Sequence, residues 1–284
     1  MLKFLLEKMQ EKILIIGAGN MGGAIFQALA QSKFAQGLSL CDRDFLKMEA
    51  LGKKVLQATG SDPAGNFFTS ANDCLESAQV VLLAIKPQGL ESFAAECGQQ
   101  LAGKILISIL AGKNLATLQE HFPKAKVCRA MPNLAAAVGR SLTGFFFGDG
   151  LKVAERKMIE KILQTFGQAV HCESERQIDQ ITALAGSGPA YFFHLVEILE
   201  RVAGKFGFAP ELAGRIAAQT FVGAAHAFEN GGKSAGEFVQ AVASPGGTTQ
   251  AALESLQEND FERIFTQAIF KADERAGQIS QGQK

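Results

Sequence analysis

Two glycine-rich stretches hold the residue types from which chemistry could be built. The first, GAGNMG, spaces Gly17, Gly19 and Gly22 as GxGxxG, directly after the apolar run Ile13 to Ile16 and at the head of an alanine-rich segment. Asp42 stands 20 residues beyond the third glycine, at the end of the next strand-like run. In that context each glycine has a physical task. The first permits a tight turn, the second lets backbone N–H groups approach a pyrophosphate, and the third lets the helix pack close to the strand. The helix N-terminus, with its unpaired donors, then faces the phosphates. The segment reads as a dinucleotide-binding turn. An acid placed like Asp42 accepts from the adenosine ribose hydroxyl and repels a 2′-phosphate, which favours NAD. Arg43, beside it, could pair with that phosphate instead, so both nicotinamide cofactors stay open.

The second stretch, VASPGGTTQAALESL, covers residues 242–256. Pro245, Gly246 and Gly247 break any preceding helix, and Thr248 or Thr249 is expected to cap a new one through Ala252, Leu253 and Leu256. Two readings compete here: a stop and restart between packed helices, or a bare helix N-terminus that receives an anion. Lys86 closes a strand-like run, where open α/β sheets place ligands, and it could equally be a solvated strand-end lysine. No Cys/His pair or Ser/His/Asp set stands out for nucleophilic catalysis. The four histidines (His121, His171, His194, His226) form no HxH or HxxxH pair, and His171–Cys172 is an isolated neighbour pair, so no metal is expected.

These residues need a scaffold, and the run of elements supplies one. KILII, GLSLCD, QVVLLAIKP, KILISILAG and KVCRAMPN read as buried strands; SLTGFFFG and GQAVHC read as two more. Helical patterns alternate with them at 43–54, 90–101, 115–121 and 153–166, with a weak strand near Val55 and an extended piece at 67–69. Such alternation argues for a mostly parallel sheet with helices on both faces. After about residue 175 the pattern is helical. Pro189 and Pro210 open helices that close on Gly207 and on Gly231–Gly232. These helices are apolar over wide arcs, which points to packing across a subunit interface rather than within one small bundle.

The totals narrow the function classes. The 284 residues suit two domains. Lys plus Arg and Asp plus Glu are both 28, so no basic surplus points to nucleic acid or an anionic membrane. Five cysteines scattered without a CxxC pair read as reduced, buried thiols in a cytoplasmic protein. The opening MLKFLLEKMQEK is too short in its apolar run for a signal peptide, and Met9 is an alternative start. No stretch has the length of a transmembrane helix.

Taken together, IIGAGNMGGAI, AIKPQ, RAMPN, GSGPAYFF and SPGGTT, in this order and at these intervals, resemble pyrroline-5-carboxylate reductase over roughly residues 11 to 280. The resemblance implies a Rossmann-type doubly wound parallel sheet domain at 11–175 and an all-α helical dimerisation and substrate domain at 176–284. It implies reduction of 1-pyrroline-5-carboxylate to L-proline by a hydride from NADPH as the family usually has it, or NADH as Asp42 argues. It also implies a homodimer, with a decamer of five dimers as the larger assembly.

For the site, the resemblance implies cofactor contacts from Gly17, Ala18, Gly19, Asn20, Met21, Gly22, Asp42, Arg43 and Asn72. The strand ends add Ala84, Ile85, Lys86, Pro87, Ile109, Leu110 and Ala111. The substrate would be received by Ser244, Gly246, Gly247, Thr248 and Thr249, with backbone N–H groups at 247–249 on its carboxylate and the Thr249 hydroxyl, the catalytic group, on its ring nitrogen. Leu134–Ala135 follows RAMPN where the family usually has Thr-Pro, so part of the wall facing the nicotinamide is altered. Two other readings remain: a related imine or 3-hydroxyacid oxidoreductase, disfavoured by the absence of lysine from 176–200, and a non-catalytic NAD(P)-binding protein, disfavoured by the intact SPGGTT turn.

Overall fold

A computed structural model describes residues 11–282; the segment containing Met9 lies outside them. Eight strands form one sheet: β1 (Ile13–Ile16), β2 (Leu38–Cys41), β3 (Phe67–Phe68), β4 (Val80–Leu83), β5 (Ile105–Ser108), β6 (Lys126–Met131), β7 (Ser141–Phe147) and β8 (Gly167–His171). Their order is β3-β2-β1-β4-β5-β6-β7-β8, so the first six strands follow the doubly wound 3-2-1-4-5-6 plan. The order reverses beside β1, which pairs with β2 on one side and β4 on the other, Ile13 lying opposite both Leu38 and Val80. All pairs are parallel except β6–β7. Only residues 132–140 join those two strands, and a parallel return needs a crossover of a dozen residues or more.

The continuous apolar runs follow from burial on both faces. Ile13, Ile15, Val80 and Leu82 pack on one side with Ile25, Phe26 and Leu29 of helix α1 (Asn20–Ala30). Leu14, Ile16, Val81 and Leu83 pack on the other with Leu90, Phe93 and Cys97 of helix α3 (Leu90–Cys97). Each such Ile or Leu contributes roughly 1.5–3 kcal/mol by leaving water. Helix α2 (Phe45–Thr59) starts two residues later than its charge pattern suggested, because the Asp44 side chain accepts from Lys47 N–H and caps it. It also runs through Val55, where a weak strand was expected. Val55 is buried with Met48 and Leu51 on one helical stripe, and that tertiary burial overrides its β-branched preference. Helices α4 (Leu115–His121) and α5 (Val153–Leu163) complete the crossovers, and all five cysteines are free and buried.

From Glu175 the described chain is helical: α6 (Glu175–Ile181), a π-helical turn (Thr182–Gly186), α7 (Gly188–Lys205), α8 (Pro210–Asn230), α9 (Ala235–Val242), α10 (Thr248–Glu258) and α11 (Phe261–Ser280). Pro189 lies in the first turn of α7 and Pro210 opens α8. Backbone packing gathers residues up to Gly186 with those from Asp273 onward into the sheet unit, and residues 187–272 into a helical unit.

The end of α11 is tied to the sheet by a buried charge cluster. Arg129 of β6 is 1% exposed. It donates to Asp179 at 2.8 Å, to Glu175 at 3.0 Å and to the Ser280 hydroxyl at 3.1 Å. Ser280 Oγ in turn donates to Asp179 at 2.6 Å, and Glu175 accepts from Leu115 N–H at 2.7 Å. Four elements distant in sequence, β6, α4, α6 and α11, are thereby joined. Arg129→Ala would leave the buried Asp179 with only the longer, 3.9 Å contact to the half-exposed Arg176 as counter-charge, and an expected loss of about 3–5 kcal/mol should lower the urea midpoint at fixed protein concentration. A loss under about 1 kcal/mol, the range of surface ion pairs, would show that the cluster does not hold the fold.

Candidate active site

The C-terminal edge of the sheet opens into a cleft of about 490 Å³ beside the switch in strand order. Its floor is made by glycines whose spacing is dictated by contact. Gly17 has φ +107°, a left-handed conformation that L side chains rarely adopt, and a Cβ there would lie 2.7 Å from the Ala84 carbonyl. A Cβ at Gly22 would collide with the Gly17 carbonyl oxygen, whereas at Gly19 it would meet nothing within 4 Å. The space before Gly19 is therefore open, and the helix behind it is bare. α1 has Gly19 as N-cap, no side-chain cap and no acid in its first turn. The N–H groups of Asn20, Met21 and Gly22 have no intrahelical acceptors by position. A pyrophosphate fits this cradle on donor set, charge and room.

Asp42 closes the cradle from the side. Its carboxylate accepts from Ala18 N–H at 2.6 Å and from Asp44 N–H at 2.9 Å, so it clamps the glycine turn to the end of β2. Arg43 extends to Glu96 of α3 at 3.3 Å, and Lys47 of α2 pairs with Asp44 at 3.1 Å. The Lys47 hydrogen bond is the main reason the Asp44 carboxyl lies below its ordinary range, and the same bond raises Lys47. Both are charged at neutral pH. On the cleft floor the Cys41 thiol is pushed up by its hydrogen bond with Cys74 and then by burial, and burial pushes nearby Cys97 up to about 11. Neither offers a thiolate nucleophile at neutral pH. Among the described residues no three His, Cys, Asp or Glu side chains converge as a metal site.

Of the residues expected to meet a cofactor, Gly17, Gly19, Asp42, Arg43, Ala84, Ile85 and Lys86 line this cleft. Ala18, Asn20, Met21 and Gly22 form the turn and first helical residues beneath them. Pro87 starts the short turn that brings Gly89 to the wall. Asn72 does not line the cleft; Ser70 and Ala71 do. The Asn72 side chain is taken by α3 and its end, its Nδ2 donating to Glu96 and its Oδ1 accepting from Gln100. Ile109, Leu110 and Ala111 follow β5 outside the lining, and Leu110 is buried. Lys47, Ser92, Phe93 and Glu96 line the cleft without having been foreseen. They lie on helices, and which face of a helix meets a sheet edge is decided by packing.

The SPGGTT turn lies in the helical unit. Gly246 has φ +69°, and its N–H donates to Gln250 Oε1 at 2.7 Å. Gly247, not a threonine, is the N-cap of α10, and neither threonine hydroxyl caps the helix. Thr248 and Thr249 occupy the first two helical positions because the extended conformation of the cap (φ −86°, ψ 170°) falls one residue earlier. The Gly247 N–H, expected to be available to an anion, donates to the Ser244 carbonyl at 3.0 Å. The Thr248 and Thr249 N–H groups keep no intrahelical acceptor by position. Leu134 opens a 3₁₀ turn (Leu134–Val138) capped by Asn133 and is 55% exposed.

Known proteins match this architecture along its length. Residues 12–112 match the family described as NADP oxidoreductase, coenzyme F420-dependent, and residues 175–279 match pyrroline-5-carboxylate reductase dimerisation. A pyrroline-5-carboxylate reductase of Pseudomonas aeruginosa is 30% identical over 272 residues, spanning 95% of this chain and 97% of its own. The solved pyrroline-5-carboxylate reductase of Coxiella burnetii superposes with a TM-score of 0.84 at 30% identity, covering 96% of this chain and 99% of that one. The pyrroline carboxylate reductase of Plasmodium falciparum, solved with NADP bound, shares the fold at a TM-score of 0.78 and 24% identity, covering 95% and 98% of the two chains. The chain belongs to the pyrroline-5-carboxylate reductase family.

Proposed function

We propose that two glycine-rich turns divide the work of this reductase, Gly17–Gly22 holding the cofactor and Ser244–Thr249 receiving the substrate. The reaction is the reduction of 1-pyrroline-5-carboxylate to L-proline with NAD(P)H. The cofactor, when bound, supplies the hydride. The chain's own residues then have three tasks: to hold a pyrophosphate, to hold a carboxylate and to orient an imine.

The Gly17, Gly19 and Gly22 backbone, with Ala18, Asn20 and Met21, serves the first task. The strand end at Ala84–Pro87 borders the way toward the nicotinamide, and Ile109–Ala111, outside the cleft lining, back it from the end of β5. Asn72 acts indirectly, through Glu96. For the second task the N–H groups of Thr248 and Thr249 offer two donors at the start of α10, where the helix dipole favours an anion. The observation that carries this reading is that α10 begins without a side-chain cap and without an acid in its first turn. Gly246 and Gly247 shape the turn, and Ser244 anchors it through its carbonyl. For the third task the Thr249 hydroxyl hydrogen-bonds the ring nitrogen. A protonated imine is already electrophilic, so orientation supplies most of what hydride addition needs. That agrees with a site lacking a histidine or thiolate.

Residues 11–175 are assigned to cofactor binding and 176–284 to dimerisation and substrate. The protein is a homo-oligomer; a homodimer as the unit, and five dimers in a decamer, belong to the proposal. Exposed apolar side chains on the helical unit support it, Phe192, Phe206, Phe228 and Phe270 each being more than half exposed. An open groove of about 610 Å³ runs along α8 past Leu212, Ile216 and Val222. A cytoplasmic location is supported by the five buried free thiols. No described helix is long and apolar enough to cross a membrane.

Thr249→Ala should lower kcat/KM for pyrroline-5-carboxylate about 10–100-fold, the worth of one oriented hydrogen bond to a charged group. Cofactor affinity should be unchanged and Thr249→Ser should recover most of the loss; full activity in the alanine variant would remove Thr249 from the site. Light scattering after size exclusion should give at least twice the 30.2 kDa chain mass, and a monomer at micromolar concentration would contradict the interface.

A further inference from the structure

The turn that follows β5 is gripped by the far end of the chain. Lys113 N–H donates to the Leu110 carbonyl at 3.3 Å, and Gly112, the third residue of that turn, has φ +69°. Such a left-handed third residue favours glycine, and contact demands it as well. A Cβ on Gly112 would lie 2.1 Å from Cγ2 of Ile279 and 3.2 Å from the Ile279 carbonyl oxygen. Ile279, near the end of α11, therefore sits on bare backbone. One residue further on, the Ser280 carbonyl accepts from Asn114 Nδ2 at 2.9 Å. The other end of that amide, Asn114 Oδ1, accepts from Thr117 N–H at 2.8 Å and caps α4. The Ser280 hydroxyl is bonded to Arg129 and Asp179, so the grip is anchored on β6 and α6. Both the turn and the end of α11 belong to the sheet unit. Ile279 stays 39% exposed, so removal of surface from water is a small part of what this contact achieves.

Strand order says what the turn stands behind. The glycine turn and Asp42, at the ends of β1 and β2, take the pyrophosphate and one nucleoside of a dinucleotide. The other half then extends along the sheet edge past β4 and β5. We infer that the end of α11 is a latch on the cofactor: Ile279 and Ser280 are positioning residues that hold the turn after β5, which backs the place of the nicotinamide ring. They act through Gly112 and Asn114. This rests on the cleft being the dinucleotide site. Hydride transfer needs the ring held at a fixed distance and angle to the imine, and a misplacement of about 1 Å costs up to about 10²-fold in rate. The pyrophosphate cradle is untouched by the latch, because Gly17–Gly22 and Asp42 build it.

Two substitutions open the latch and leave the elements it joins in place. Ile279→Ala removes the carbon that lies over Gly112, whereas Ile279→Val keeps it. Asn114→Asp keeps the oxygen that caps α4 and loses the donor to Ser280. The test uses the full chain, with kcat for pyrroline-5-carboxylate and calorimetric Kd values for NADPH, NADH, ADP-ribose and ADP-ribose 2′-phosphate. The last two carry everything but the nicotinamide. Ile279→Ala and Asn114→Asp should each lower kcat about 5–20-fold and weaken the cofactor that supports turnover about 3–10-fold, the worth of one ordinary contact. The ADP-ribose fragments should shift less than about twofold, and Ile279→Val should keep kcat within about twofold. A merely loosened fold would weaken fragments and whole cofactors alike. That result, or an unchanged kcat in both latch variants, would overturn the inference while leaving the cleft as the cofactor site. If the unaltered protein bound neither fragment, the reading of the cleft would fail and the latch with it.

Discussion

The contact on which the rest of this structure depends is a meeting of bare backbone: the first turn of α1 lies against the carbonyl of Gly17, with no side chain between them. A single methyl at Gly22 would occupy the place of that oxygen. Because helix and strand approach so closely, α1 starts at the C-terminal edge of the sheet, packed against the residues that follow β1 and β4. The cleft exists there because the strand order reverses beside β1. Close packing, strand order and donor direction are thus one constraint seen at three scales.

Charge is arranged around that contact economically. No acid lies in the first turn of α1, where it would compete with a bound phosphate. Asp42 stands at the side and spends its charge on the turn's own N–H groups. The remaining charges pair across the rim in exposed bonds, which cost little to open. The fully buried charges, Arg129 and Asp179, lie elsewhere and hold the end of the last helix to the sheet. Buried pairs fix architecture here, and the pairs at the cleft are exposed ones.

The turn before α10 repeats the first device in a different setting. Again a glycine with positive φ and a glycine cap precede a helix without a capping side chain. Gln250 reaches back to Gly246 N–H and Gly247 N–H is bonded within the turn, so the turn is shaped before any ligand arrives. Such preorganisation reduces the ordering that binding would otherwise cost. For a reaction whose acceptor is already electrophilic, a shaped pair of anion sites matters more than an acid–base apparatus.

The sequence by itself determined the periodic elements, the glycine turns and the change from strand to helix near residue 175. It could do so because these follow from local sterics: a four-residue apolar run bounded by glycine, a proline in a first helical turn, a glycine where φ is positive. It also carried enough of the motif order to place the family. Partner choice, by contrast, was settled by packing between distant segments. Val55 became helical because its side of α2 is buried. The β6–β7 pair became antiparallel because nine residues cannot cross over. Asn72 turned to α3 rather than the cleft, and Lys47 and Glu96 reached the rim from helices whose facing is set by packing. Asp42 and Arg43 are adjacent in the chain, and their types alone left both ribose and phosphate open. Their different partners arise because one carboxylate finds backbone donors and the neighbouring guanidinium finds a carboxylate 53 residues away, a distance that folding closes.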